Sequence, residues 1–177
     1  MRKKIIILFS GICFFVVLIF IVFNFIIFPT KYKNLVVGYS KEYELDCALV
    51  YAIIKTESNF DKKATSSAGA MGLMQIMPTT GEWLAKEVGL DNFVTSELYD
   101  PEINIRLGCC YLNYLSKKFN DFKAVICAYN AGEGVVKNWI DKNGKLVESK
   151  INYKETRNYL KKVVGYYNIY KNHEICN

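Results

Sequence analysis

Residues 57–78 read "ESNFDKKATSSAGAMGLMQIMP", and this stretch decides the fold. Its second half packs three Met (71, 74 and 77), two Gly (69 and 72), a lone Gln75 and Pro78 into ten residues, a mixture that suits neither a helix nor a strand. What such a segment serves depends on what flanks it.

The flanks read as helices. Upstream, Asp46 is placed to cap a helix running to about Ser58, with Leu49, Val50, Ala52, Ile53 and Ile54 at helical spacing. Downstream, Pro78 ends the loop, and Thr79-x-x-Glu82 has the form of a capping box opening a helix that carries Trp83, Leu84 and Val88 and stops at Gly89. Asp100-Pro101 is an N-cap followed by proline at the first helical position, starting "PEINIRLGCCYLNYLSKKF". Asp121 opens a shorter helix through about Tyr129, and another follows Gly132 through Val135, Val136 and Trp139. Last, "YKETRNYLKKVVGYYNIYK" keeps an apolar stripe through Tyr159, Val163, Tyr166 or Tyr167, and Tyr170. Strand signals are poor, and "DKNGKLVESK" is the most loop-like insert. The expected fold class is all-α, with one domain over residues 40–177.

Ahead of that domain, Ile5 to Phe28 is an uncharged apolar run long enough to cross about 30 Å of hydrocarbon. It is expected to be a single transmembrane anchor (5–28) joined by a tether (29–39); the competing cleaved signal peptide fits a shorter core followed by small residues. Arg2, Lys3 and Lys4 outweigh Lys31 and Lys33, which keeps residues 1–4 cytoplasmic and the domain outside, on the cell-wall side. These five basic residues flank the run while every acidic residue lies beyond it, so the net charge of +6 reflects topology. It is no nucleic-acid footprint, and no nucleic-acid-binding motif accompanies it. Six Cys without a C-x-x-C and a single His173 offer almost no zinc ligands. An oxidising exterior permits a disulfide, but Cys47, Cys109, Cys110 and Cys127 fall in expected helices and are read as small packed thiols.

Val50, Ile53, Ile54 and Glu57 share one helix face, so Glu57 ends an apolar stripe. Desolvation there raises a carboxyl pKa toward the range of a general acid. By itself a Glu at a helix end is more often a solvated last-turn residue. Its company changes that reading. Glu57-Ser58, "GLMQIMP" (72–78), "AYNAG" (128–132) and Glu155-Thr156-x-x-Tyr159 occur in this order across most of residues 40–170. The set resembles the lytic transglycosylases of the soluble murein transglycosylase type, relatives of goose-type lysozyme.

The resemblance implies a lysozyme-like domain whose Gly-rich loop lines a saccharide cleft. It implies Glu57 as catalytic acid and then base, with Ser66, Gln75, Met77, Tyr129, Asn130, Glu155 and Tyr159 as substrate-binding residues. The substrate would be peptidoglycan glycan strands, cut between N-acetylmuramic acid and N-acetylglucosamine with formation of a 1,6-anhydro end and with no metal or organic cofactor. Rival readings are a water-using hydrolase and a non-catalytic, membrane-tethered wall-binding protein. Partners in the wall or in a secretion machine are left open by the sequence.

Overall fold

The computed structural model describes residues 29–172, together with Gly11, Phe14 and Phe15. The expected membrane span therefore lies almost wholly outside the described residues, and among these no helix is long and apolar enough to cross a membrane. The chain divides into two compact units, Met1–Lys31 and Tyr32–Asn177. In the second, the described residues form seven α-helices: α1 (Lys33–Glu42), α2 (Cys47–Ser58), α3 (Pro78–Glu87), α4 (Pro101–Lys118), α5 (Phe122–Ala131), α6 (Glu133–Val136) and α7 (Lys154–Asn172). Two 3-10 turns, Thr95–Tyr99 and Glu148–Lys150, complete it. Strand-like pairing among the described residues is confined to isolated bridges, Thr65 with Met71, Met71 with Ile76 and Ile140 with Leu146.

Helix α2 is the centre of the unit. Every residue from Cys47 to Ile54 is buried, so the helix is apolar all round and must be surrounded. It packs most extensively on α7 and also on α1. Tyr51 stacks on Tyr170 of α7 with ring centroids 5.1 Å apart. Truncating a fully buried residue such as Ile53 or Ile54 to Ala would cost about 2–5 kcal/mol. Asp46 caps α2 as expected, accepting from the Ala48 amide at 3.0 Å, and it also receives the Tyr167 hydroxyl (2.9 Å) and the Lys171 ammonium (2.7 Å). The cap thus ties the start of α2 to the end of α7.

Asp100 and Asp121 cap α4 and α5 as expected, each accepting from backbone amides of the first turn. Three expectations change. The Thr79–Glu82 capping box is not made: Pro78 takes the first helical position with Met77 as N-cap, and Thr79 and Glu82 are exposed. Proline's fixed φ and missing N–H suit that position, so the helix starts two residues earlier than a Thr79 cap would set. The helix after Gly132 is a single turn ending at Val136, and Trp139 is buried beyond it, edge-on to Tyr153. Residues 33–39, expected as tether, belong to helix α1, which packs on α2 and α4 with Val36 fully buried.

The cysteines divide. Cys109, Cys110 and Cys127 are free thiols, as expected, with Cys109 and Cys127 fully buried. Cys47 is instead disulfide-bonded. It is the first residue of α2 and is buried.

Candidate active site

The chain leaves α2 through two consecutive left-handed residues, Asn59 (φ 50°) and Phe60 (φ 66°). That conformation is unfavourable for a bulky residue and persists only where surroundings enforce it. Burial of Phe60 against Tyr51 supplies the enforcement. The turn sends residues 61–77 back over the end of α2, and the Ser58 hydroxyl then donates to the Leu73 carbonyl at 2.8 Å. From the far side, fully buried Asn104 of α4 accepts from the Met74 amide (2.7 Å) and donates to the carbonyls of Met71 (3.0 Å) and Leu98 (2.7 Å). The Tyr129 hydroxyl donates to the Met74 carbonyl at 2.8 Å. The loop is therefore an ordered wall, pinned by α2, α4 and α5.

Glu57 lies at the foot of this wall, partly buried. Tyr159 of α7 donates its hydroxyl to Glu57 Oε1 at 2.6 Å, and among the described residues it is the one hydrogen-bond donor to that carboxyl. Burial pushes the Glu57 carboxyl from its ordinary 4.5 up to about 7; the Tyr159 hydrogen bond opposes the rise and the Glu155 charge adds to it. Burial, with the nearby Glu57 charge, also holds the phenols of Tyr129 and Tyr159 well above 10. Both tyrosines thus remain neutral donors beside an acid poised near neutrality.

Tyr129, close enough to Glu57 to feel its charge, also lines a cavity of about 270 Å³ with Gln75, Ile76, Met77, Thr80, Tyr111, Asn130, Ala131 and Gly132; Glu57 and Tyr159 are not among its lining residues. The structure brings Gln75, Met77, Tyr129 and Asn130 together there, and Met77 is 40% exposed. The Gln75 side-chain Nε2 donates to the carbonyls of Ala64 (3.1 Å) and Gly72 (2.9 Å), which supports its left-handed backbone (φ 48°). Asn130 Oδ1 accepts from the buried Thr156 hydroxyl at 2.8 Å, joining the "AYNAG" segment to α7. Glu155 is exposed and reaches Glu57 through charge alone. Ser66 is turned to its own loop, where its hydroxyl accepts from the Ala70 amide at 2.9 Å.

The family model for the transglycosylase SLT domain matches residues 34–152. The chain belongs to the transglycosylase SLT domain family. Among curated relatives, the Escherichia coli K12 soluble lytic murein transglycosylase is 34% identical over 146 residues, 78% of this chain and 23% of the relative. Membrane-bound lytic murein transglycosylase C of Mannheimia succiniciproducens is 40% identical over 116 residues, 60% of this chain and 32% of the relative. Among solved structures, an inactive glutamate-to-glutamine mutant of the Pseudomonas aeruginosa lytic transglycosylase Slt matches with a TM-score of 0.79 at 34% identity, over 85% of this chain and 25% of that one. The chain thus spans about a quarter of the length of the soluble relatives it matches. The mostly helical architecture is the lysozyme-like SLT fold.

Several residues of this SLT domain escaped the sequence reading. Asn104 carries a usable signal, since it is the polar member of an otherwise apolar stripe with Leu107, Gly108, Leu112 and Leu115 on α4. Gly108 lets the loop approach: a Cβ there would lie 2.2 Å from Met74 Sδ. Ser58 was read only as part of the Glu57-Ser58 block, with no role of its own, and Tyr111 gave no signal, because a helical Tyr is common and only the returning loop makes either useful.

Proposed function

We propose that this SLT domain is a peptidoglycan lytic transglycosylase that cuts the β-1,4 bond between N-acetylmuramic acid and N-acetylglucosamine. The observation that carries the reading is the single desolvated carboxyl of Glu57, held by Tyr159 beside a cleft of amide and aromatic groups. Glycosidases ordinarily use two carboxyl groups, but an internal nucleophile can replace the second because of its high effective concentration.

Glu57 first gives its proton to the glycosidic oxygen as the C1–O bond breaks, and the substrate's own 2-acetamido group stabilises positive charge at C1. The resulting carboxylate then takes the proton of the C6 hydroxyl on the same muramic acid residue. That oxygen closes onto C1, forming the 1,6-anhydro end and returning Glu57 to its acid form. A carboxyl near pKa 7 is suited to both steps, since neither protonation state is strongly disfavoured. Tyr159 keeps the acid oriented. Gln75, Met77, Tyr129 and Asn130 contact the saccharide, Ser66 and Glu155 flank it, and no metal or organic cofactor takes part.

The apolar run at 5–28 anchors the domain to the outer face of the cell membrane, within reach of the wall. Names of relatives such as the Mannheimia protein support a membrane-associated member of this family. The test is mass spectrometry of peptidoglycan digested by the full chain. Anhydro-muramic ends, lighter by one water than reducing ends, are expected. Exclusively reducing ends would establish the hydrolase instead, and Glu57→Gln should lower turnover by several orders of magnitude.

A further inference from the structure

Beyond the cleft the wall continues as an aromatic row that the reading above leaves unused. Tyr129 and Tyr111 line the cavity with ring centroids 5.4 Å apart. From Tyr111 the row passes along α4 to Tyr114, whose ring lies nearly parallel to it (6.2 Å, 13°). Trp83 of α3 meets both edge-on, at 6.2 Å from Tyr111 and 5.0 Å from Tyr114. Trp83 is nevertheless 37% exposed, and Met77, the N-cap of the same helix, is 40% exposed. Thr80, which lines the cavity, lies between them at i+3 spacing, so Met77, Thr80 and Trp83 follow one edge of α3.

The far end of this row is built. Tyr114 donates to Glu133 at 3.0 Å, and Lys118 bridges the pair, 2.7 Å from the Tyr114 hydroxyl and 2.5 Å from the Glu133 carboxylate. Tyr111, Tyr114 and Lys118 share one face of α4, and about 10 Å of helix axis separates the first from the last, comparable to a disaccharide. Aromatic plates edged by hydroxyl, ammonium and carboxylate groups match a ligand that is apolar on its ring faces and hydroxylated at its rim.

We propose that Trp83, with Tyr111 and Tyr114, forms an additional glycan-binding subsite that holds sugar rings beyond those next to Glu57. The subsite extends the saccharide cleft and rests on that cleft being a glycan site, though not on the chemistry assigned to Glu57. Its effect is a preference for longer strands: each further ring reaching Trp83 adds contact that short fragments lack.

The test is calorimetric titration of the full chain in detergent with β-1,4-linked N-acetylglucosamine oligomers of increasing length. Tryptophan fluorescence is followed alongside, Trp139 being buried. Affinity is expected to rise with length, and the longer oligomers should perturb the fluorescence. Trp83→Ala should weaken binding of long oligomers about tenfold or more, the scale of truncating a Trp at a binding surface, while short ones bind as before. Trp83→Phe should recover much of the loss. Wild-type affinity of Trp83→Ala for long oligomers would overturn the subsite, as would equal losses for short and long ones, which mark a structural role. Length-dependent binding through Trp83 without any anhydro product would leave the subsite standing and remove the transglycosylase reading alone.

Discussion

Tyr159 donates its hydroxyl to Glu57 Oε1 at 2.6 Å and so joins the second turn of α7 to the end of α2. This contact favours the charged carboxylate, against the larger effect of burial. Removing it with Tyr159→Phe is expected to raise the Glu57 pKa above its present value of about 7. The proposed first step needs the protonated acid, so the alkaline limb of the kcat/KM profile should move to higher pH. An alkaline limb moved to lower pH would contradict the assignment.

The same shift sets a stability profile. The folded Glu57 carboxyl titrates near 7 against an ordinary 4.5, so between these values the folded state keeps a proton that the unfolded chain has released. Stability therefore falls as pH rises through this window, by about 3 kcal/mol at most. Glu57→Gln removes that dependence. Denaturant unfolding should find the variant close to wild type at pH 4 and more stable by about 2–3 kcal/mol at pH 8. Parallel profiles across the window would show the carboxyl to be solvated.

Asn104 satisfies three backbone groups of the loop and the 3-10 turn from a fully buried position. Asn104→Ala leaves them unpaired, at about 2–4 kcal/mol. Asn104→Asp should do no better, since it keeps the acceptor for the Met74 amide and turns a carboxylate oxygen toward two carbonyls. Chemical denaturation would measure both, and protease nicking within residues 61–77 would report release of the loop.

Two loop glycines separate backbone conformation from close approach. Gly69 (φ 88°) has open space around an added Cβ, so Gly69→Ala should cost about 1–2 kcal/mol for left-handed backbone alone. Gly72 (φ 78°) would place its Cβ 2.1 Å from the Leu98 carbonyl and 2.4 Å from Asn104 Nδ2. Gly72→Ala should therefore exceed the Gly69 variant by at least about 1–3 kcal/mol and lower activity as the wall shifts. Thermal unfolding of the two variants, together with their turnover, decides this.

Local signals located the helices well where side chain and backbone interact within one turn. Asp46, Asp100 and Asp121 stand where they were expected because an N-cap is a short-range hydrogen bond. The Thr79–Glu82 box failed because Pro78 competed for the same turn and local rules do not rank the two. Helix α1 was missed because it carries no capping signal, its N-cap being Tyr32, and it is held by Val36 against other helices. Disulfide bonding of Cys47 was likewise illegible, since pairing depends on which distant segment arrives beside it.

By themselves the residues determined that this chain carries an all-α unit, that Glu57 ends an apolar helix face, and that four blocks of one enzyme family occur in order, because periodicity, capping and motif spacing are properties of neighbours along the chain. Only the tertiary structure decided that Tyr159, remote in sequence, holds the Glu57 carboxyl, that Asn104 and Ser58 pin the loop over it, and that Trp83 meets Tyr111 and Tyr114 edge-on. The reason is physical: the desolvation that tunes an acid, and the convergence of plates and donors on one groove, arise from packing between elements that no local window contains.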